Sequence, residues 1–356
     1  MVNLLSGTLT QTKIRARAPL RIGLAGGGTD VSPYSEDFGG AILNATIDRY
    51  AFAFVEPSTT GEHRFIASDI GSEEVLPADC EAKDAKLKLH AAVCRRIARQ
   101  FCGGKPIAVT LKTLVDAPPG SGLGSSSALV VAMVEAFREL LDLPLGPYEV
   151  ARLAYEIERI DLGLAGGKQD QYAAAFGGIN FMEFMAGDRV IVNPLRIPRA
   201  VRNELESSLV VCFSGVSRSS ERIIDQQRKG MIGKSAQTID NLHQLKVDAI
   251  EMKQALLRAD IVGMATVLDR SWRAKKGTAQ GVSTKEIEQL CETALGAGAL
   301  AGKVSGAGGG GFVMFIVPPE NRLRVIEALN AAGGQAGGVK LTDRGAEAWV
   351  SPFRSR

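Results

Sequence analysis

The stretch Pro118-Pro-Gly-Ser-Gly-Leu-Gly-Ser-Ser-Ser-Ala128 constrains this chain more than any other. Gly120, Gly122 and Gly124 alternate with single residues, Ser125, Ser126 and Ser127 follow, and an apolar run starts at Leu129. Glycine reaches positive φ at little steric cost and lets backbone approach a ligand closely. Serine is a preferred N-cap, so Leu129–Leu141 reads as a helix that the serines cap. A glycine-rich loop feeding a helix N-terminus aims N–H groups and the helix dipole at one point. That is an anion site, and phosphate is the usual anion. A glycine turn ahead of a buried helix would read the same way. The stretch lacks the lysine of the Walker pattern G-x-x-x-x-G-K-[ST]. It also reads G-x-G-x-x-S from Gly120, so the dinucleotide fingerprint is incomplete. If the loop holds phosphate, cationic charge must come from elsewhere in the chain.

A length of 356 residues allows about two domains, and 45% hydrophobic with 23% charged residues predicts a globular fold. The 42 basic and 39 acidic residues leave a net charge of +3, which gives no sign of a nucleic-acid or membrane-surface partner. The five cysteines contain no C-x-x-C and the three histidines are scattered, so neither a disulfide framework nor a zinc site is expected. A reducing cytoplasm fits this usage. The N-terminal residues lack a signal-peptide core, and the apolar runs are too short or interrupted to span a bilayer. A homodimer is compatible with the sequence, which fixes no oligomeric state.

In chain order, Ile14–Leu24 alternates apolar and basic residues with Pro19 interrupting, which predicts an edge strand entering the core. A tight loop Ala25–Asp30 follows. Strands are expected at Ala41–Ile47, Tyr50–Val55, Arg64–Ala67, Glu74–Leu76 and Ile107–Val115, and a helix at Lys86–Phe101. A helix over Tyr148–Asp161 precedes a glycine-flanked loop, Gly163–Gly178, and a hairpin, Ile179–Met185 with Val190–Val192. Pro194–Arg199 reads as a linker, which divides the chain into residues 1–195 and 196–356. The second half opens on a buried strand, Leu209–Phe213, then a polar loop, Gly215–Arg222. Helices over Ser235–Arg258, Ile261–Lys276 and Thr284–Leu295 come next, then a glycine cluster before Phe312–Val317, a helix Arg322–Ala332 and two closing strands.

Three further sites carry polar chemistry. Arg21 precedes Gly26–Gly28, and Thr29-Asp30 follows, where a short acid could accept a ligand hydroxyl or close an Asx-turn. Asp170 lies beside Lys168. An aspartate near a cation keeps its charge and can accept a proton, and a helix N-cap would look the same. Glu158 and a serine are oxygen ligands of the kind Mg²⁺ takes, although glutamate on a helix is usually exposed. Gly306–Gly311 contains a G-x-G-x-x-G match, but a strand follows it rather than a helix, so it is not a dinucleotide site. Its glycines predict close backbone packing against a loop or ligand.

Ala18–Asp30, Pro118–Ala128 and Lys303–Gly311, in that order, resemble the three motifs of the GHMP kinases. Arg-Ile-Gly-Leu-Ala-Gly-Gly-Gly-Thr-Asp30, Gly167-Lys-Gln-Asp-Gln-Tyr172 and Trp272–Lys276 are similar to the D-glycero-D-manno-heptose 7-phosphate kinase branch. The resemblance implies an α+β fold with a ribosomal-protein-S5-like N-terminal domain and a ferredoxin-like C-terminal domain, with the active site between them. It implies ATP and Mg²⁺. Residues Pro119, Gly120, Ser121, Gly122, Leu123, Gly124, Ser125, Ser126 and Ser127 would wrap the nucleotide phosphates. Ser126 and Glu158 would hold the metal, and Asp170, Arg21 and Lys168 would serve catalysis. Gly27, Gly28, Thr29, Asp30, Arg218, Lys275, Gly308 and Gly309 would face the sugar, with Arg218 and Lys275 the first choices for a phosphate it carries. The implied reaction phosphorylates the C1 hydroxyl of a heptose 7-phosphate on the way to nucleotide-activated heptose for surface polysaccharide. The Glu and His of the galactokinase G-E-H-T-D segment are absent here, which argues against galactose. A kinase of an unphosphorylated sugar such as fucose, and a non-catalytic sensor, are the alternatives.

Overall fold

The alternating residues of Ile14–Ala25 form β1, and every second side chain at its start is buried, as period-two patterning requires. This computed structural model describes residues 12–216, 220–233 and 235–352. After β1 come α1 (Tyr34–Phe38), β2 (Gly40–Pro57), β3 (Glu62–Ala67), β4 (Ser72–Pro77), α2 (Lys88–Phe101) and β5 (Val109–Val115). Then follow α3 (Ser125–Leu140), α4 (Pro147–Glu156), a π turn (Ile157–Asp161), α5 (Gln169–Phe176), β6 (Ile179–Phe184) and β7 (Val190–Pro194). The remainder comprises α6 (Arg199–Ser208), β8 (Leu209–Phe213), α7 (Ser220–Ile232), α8 (Ala236–Leu257), α9 (Ile261–Lys276) and α10 (Lys285–Gly296). It closes with β9 (Ala301–Val304), β10 (Phe312–Ile316), α11 (Arg322–Ala331), β11 (Gln335–Gly338) and β12 (Glu347–Val350).

β2 is long enough to serve two partners. Gly40–Ala45 pairs with β6 and Ala51–Pro57 with β5, while β1 runs antiparallel along its other side. The resulting eight-stranded sheet has the order β12-β1-β2-β5-β3-β4, with β6 and β7 branching from β2. The second sheet has four antiparallel strands in the order β11-β8-β10-β9. α3 packs on β1 and β2, which places its N-terminus beside the start of the chain's first motif. α8 also packs on β1 and β2, and α9 on β9, so one core runs through both halves. A second core lies between the small sheet and α10 and α11. The architecture is α+β, as expected.

Several local expectations change. The strands expected at Ala41–Ile47 and Tyr50–Val55 are one continuous strand, β2. β1 is not an edge along its first residues, because Ile14–Arg17 pairs with β12. The last strand of the chain thus closes the sheet built by the first half. α3 starts at Ser125, with Gly124 at the cap position, φ +73° and no side-chain cap. The serines therefore stand inside the first turn and do not cap it. The helix over Tyr148–Asp161 ends in a π turn, and the segment Gly163–Gly178 contains α5. Of the polar loop Gly215–Arg222, residues from Ser220 onward are helical, and Pro194–Arg199 leads directly into α6.

Candidate active site

The three glycine motifs meet at a cleft of about 300 Å³ between the two sheets. Gly120, Gly122 and Gly124 all have positive φ, at +69°, +75° and +73°. That repeated geometry requires glycine, and it turns the loop so that Gly120, Gly122, Gly124, Ser125, Ser126 and Ser127 line the cleft. The intervening Ser121 and Leu123 are buried and hold the loop from behind. Ser121 O accepts a hydrogen bond from Phe312 N at 2.8 Å, and Leu123 O one from Arg21 N at 3.0 Å. Gly306 presses on the same loop: a Cβ there would lie 2.8 Å from Gly122 Cα. The first and third motifs thus clamp the second. The first-turn N–H groups of α3 have no intrahelical partners, so the cleft ends at a helix N-terminus whose geometry suits an anion.

Asp170 sits in the first turn of α5, against that loop. A Cβ on Gly124 would lie 3.2 Å from its Cγ. Buried Arg21, on β1, donates from Nε at 2.8 Å and from Nη2 at 2.7 Å to Asp170 Oδ1. Its Nη1 donates to Gly122 O at 2.6 Å and to Ser305 O at 3.3 Å. One guanidinium therefore ties all three motifs to the aspartate, and Asp170 Oδ2 is left as the oxygen beside Gly124.

Glu158 is 1% exposed; it lies in the π turn and continues the buried i, i+4 row of Val150 and Ala154 on α4. π turns inserted in helices are frequent at functional sites. Ser126 Oγ donates to Glu158 Oε1 at 3.2 Å, and Gln171 Nε2 donates to Oε2 at 2.5 Å and to Ser127 Oγ at 3.1 Å. The expected pair is thus assembled at the mouth of the glycine loop, with Gln171 holding Glu158 and the neighbouring Ser127.

Asp30 is buried on the other wall. Its Oδ2 accepts from Gln169 N at 3.0 Å and its Oδ1 from Gly28 N at 3.3 Å. Burial pushes its carboxyl above the ordinary aspartate value, the Gln169 N–H opposes this, and the nearby Asp170 adds to it. Gly27, Gly28 and Lys275 line the cleft beside it, and Lys275 Nζ donates to Gly27 O at 2.9 Å.

Other expected residues stand elsewhere. Lys168 points away from the cleft, where its ammonium bonds Glu36 at 3.1 Å and Asp188 at 2.7 Å, so it is corrected from a catalytic cation to a structural one. Thr29 is fully buried, bonding Gly26 O at 2.8 Å and Ala41 O at 3.0 Å. It shapes the loop and does not line the cleft. Gly308 and Gly309 back onto Gly281, Val282 and Ile223, and Gly306 and Ala307 line the cleft in their place. Arg218 lies outside the described residues. Lys168→Met is expected to leave kcat unchanged and to cost about 1 kcal/mol of stability, since its partners Glu36 and Asp188 are partly exposed. Steady-state rates and a thermal melt check this. A large loss of kcat would return the lysine to the chemistry.

Residues 88–178 match the GHMP kinases N terminal domain and residues 252–335 the GHMP kinases C terminal domain. A D-glycero-alpha-D-manno-heptose 7-phosphate kinase of Campylobacter jejuni is 44% identical over 94% of this chain and 98% of that protein. The chain belongs to the GHMP kinases. A crystal structure of a D-glycero-D-manno-heptose 1-phosphate kinase from Bacteroides thetaiotaomicron has a TM-score of 0.79 at 44% identity, covering 94% of this chain and 98% of that one. A Bacteroides fragilis L-fucokinase/L-fucose-1-P guanylyltransferase is 26% identical over 92% of this chain, which spans 37% of that protein. Membership makes this a phosphotransferase that uses ATP. No helix among the described residues is long and apolar enough to cross a membrane.

Reading the sequence missed four parts of this GHMP kinase site. Gln171, Gln227, Lys303 and Ser305 line the cleft or bond its lining residues. An adjoining apolar pocket of about 450 Å³ shares Gly120, Ser125, Ser126 and Leu164 with the cleft and is lined by Leu87, Val115, Pro119 and Leu129 among others. His90 borders it, and burial pulls that imidazole down to about 4, so it is neutral near pH 7. Pro119 therefore faces the apolar pocket and not the cleft.

Proposed function

We propose that this GHMP kinase transfers the γ-phosphoryl group of ATP to the C1 hydroxyl of D-glycero-D-manno-heptose 7-phosphate, giving the 1,7-bisphosphate. The observation that carries the chemistry is the Arg21–Asp170 pair fixed at the turn of the phosphate loop. The observation that favours this acceptor over fucose is the 44% identity along nearly the whole chain, against 26%.

Phosphoryl transfer asks a protein mainly for positioning and for charge neutralisation. The apolar pocket beside Ser125 and Ser126 suits a nucleotide base, with the phosphates running along Gly120–Ser127 to the start of α3. Asp170 Oδ2 is the acceptor for the proton of the sugar hydroxyl, and Arg21 orients the carboxylate through Oδ1. Arg21 also supplies the cationic charge that a Walker lysine supplies elsewhere. Asp30, held by two backbone N–H groups, receives a sugar hydroxyl.

Ser126 Oγ and Glu158 fit Mg²⁺: two oxygen donors meet within 3.2 Å, and Gln171 restrains the carboxylate. Among the described residues no cluster of three or more His, Cys, Asp or Glu could hold a metal, so the remaining ligands would be nucleotide oxygens and water. When bound, the ion would draw charge off the phosphate oxygens.

The test is ADP release with heptose 7-phosphate, heptose 1-phosphate, mannose and fucose, with the phosphorylated position read by ³¹P NMR. Turnover of the 7-phosphate with new phosphate on C1 is expected. Turnover of heptose 1-phosphate or a free sugar in its place would overturn the assignment.

A further inference from the structure

A sugar that already carries a phosphate brings a second dianion into the cleft, away from the reacting hydroxyl. The cleft holds cationic charge that the chemistry above does not use. Lys275 at the end of α9 and Lys303 on β9 are each 4% exposed. Each ammonium bonds only a backbone carbonyl among the described residues: Lys275 Nζ bonds Gly27 O at 2.9 Å and Lys303 Nζ bonds Val304 O at 3.1 Å. Gln227, on α7, is 3% exposed, and its Nε2 has no hydrogen-bond partner. A Cβ on Gly28 would lie 2.6 Å from that Nε2 and 3.3 Å from Lys275 Nζ, so the two donors converge on one bare patch of backbone.

Buried cations with no carboxylate bonded to them and a buried donor without an acceptor are both costly. Burial pulls Lys275 down to about 8, with Asp30 opposing and Arg21 adding to the fall. Burial pulls Lys303 down to about 7, and Lys275 and Arg21 push it the same way. Asp248 is the one acidic group that favours its charged form. Paired carboxylates would have relieved this strain, as Glu36 and Asp188 do for Lys168. A bound phosphate would satisfy both ammoniums and the amide with charge-assisted hydrogen bonds.

We propose that Lys275, Lys303 and Gln227 form the seat of the phosphate group that the sugar substrate brings. This rests on the reading of the acceptor as a sugar phosphate. The chemical class recognised is a phosphomonoester dianion, and the donors select sugar phosphates over free sugars.

The experiment measures kcat/KM for heptose 7-phosphate and for unphosphorylated heptose in the wild type, Lys303→Met and Gln227→Ala, with inorganic phosphate as a competing ligand. In each variant the preference for the phosphorylated sugar is expected to fall about tenfold or more, carried by KM, the scale of one lost hydrogen bond to a charged group. The inhibition constant of inorganic phosphate is expected to rise in parallel. A thermal melt shows which variants fold, and if Lys303→Met does not, Gln227→Ala carries the test. Equal losses with both acceptors would overturn the seat and move these groups to the sugar hydroxyls or the transferring phosphoryl. A wild type that shows no preference for the phosphorylated sugar would sink the substrate reading itself, independently of the variants.

Discussion

Asp170→Asn is expected to lower kcat by about 10²–10⁴-fold while leaving ATP affinity unchanged, the range that general-base assistance supplies. Asparagine has the shape of aspartate, and its carbonyl can still accept from Arg21 Nε and Nη2, now bonded to Oδ1 at 2.8 and 2.7 Å. The packing on Gly124 is then preserved, and with it the phosphate loop. What is lost is the oxygen beside Gly124, replaced by an NH₂ that can only donate. Nucleotide binding by titration separates the two functions. A variant with near-normal kcat would show that the carboxylate orients the hydroxyl without taking its proton. A variant that no longer binds ATP would show that Asp170 is a prop for the loop.

The elements legible in the sequence were those with a local cause. β1, the two halves of β2 and the central helices follow from apolar spacing, although the continuity of β2 through residues 48–49 does not, and the left-handed turns at Gly120, Gly122 and Gly124 follow from residue type. The resemblance points to Glu158; glutamate on a helix is usually exposed, yet this one continues the buried row of Val150 and Ala154. The serines misled in the opposite direction. Their composition signals an N-cap, yet Gly124 in the left-handed conformation takes that position, and the hydroxyls turn to Glu158 and Gln171 instead.

What stayed hidden was tertiary. Lys168 neighbours Asp170 in sequence, but the helical geometry of α5 sends the two apart, and Glu36 and Asp188 come from other elements to claim the ammonium. Lys303 opens the third motif, and nothing local in Gly302-Lys303-Val304-Ser305 signals its burial. Only the packing of β9 against α9 buries it near Lys275. The apolar pocket draws on residues 67–70, 86–90, 115–129 and 162–164, so no window of sequence contains it.

Arg21→Met is expected to be the other severe substitution, with kcat reduced about 10²–10³-fold, the scale of removing one charge-stabilising donor from a transition state. Methionine fills the volume of the stem, so the effect comes from the guanidinium. Its loss deletes the bonds to Asp170 Oδ1, Gly122 O and Ser305 O together, and those bonds join the three motifs. It also strands Asp170, whose side chain is 23% exposed, without its cation. Removing one partner of a fully buried pair costs about 3–5 kcal/mol, and partial exposure of Asp170 places this case at or below the lower end. The double variant Arg21→Met/Asp170→Asn decides how the two act. Melting should be higher in the double than in Arg21→Met alone, because the amide no longer leaves a bare charge. Its kcat should fall by less than the product of the single losses, since groups working as one unit cannot each be lost separately. Additive losses in kcat would mean that Arg21 serves the transferring phosphoryl without acting through Asp170.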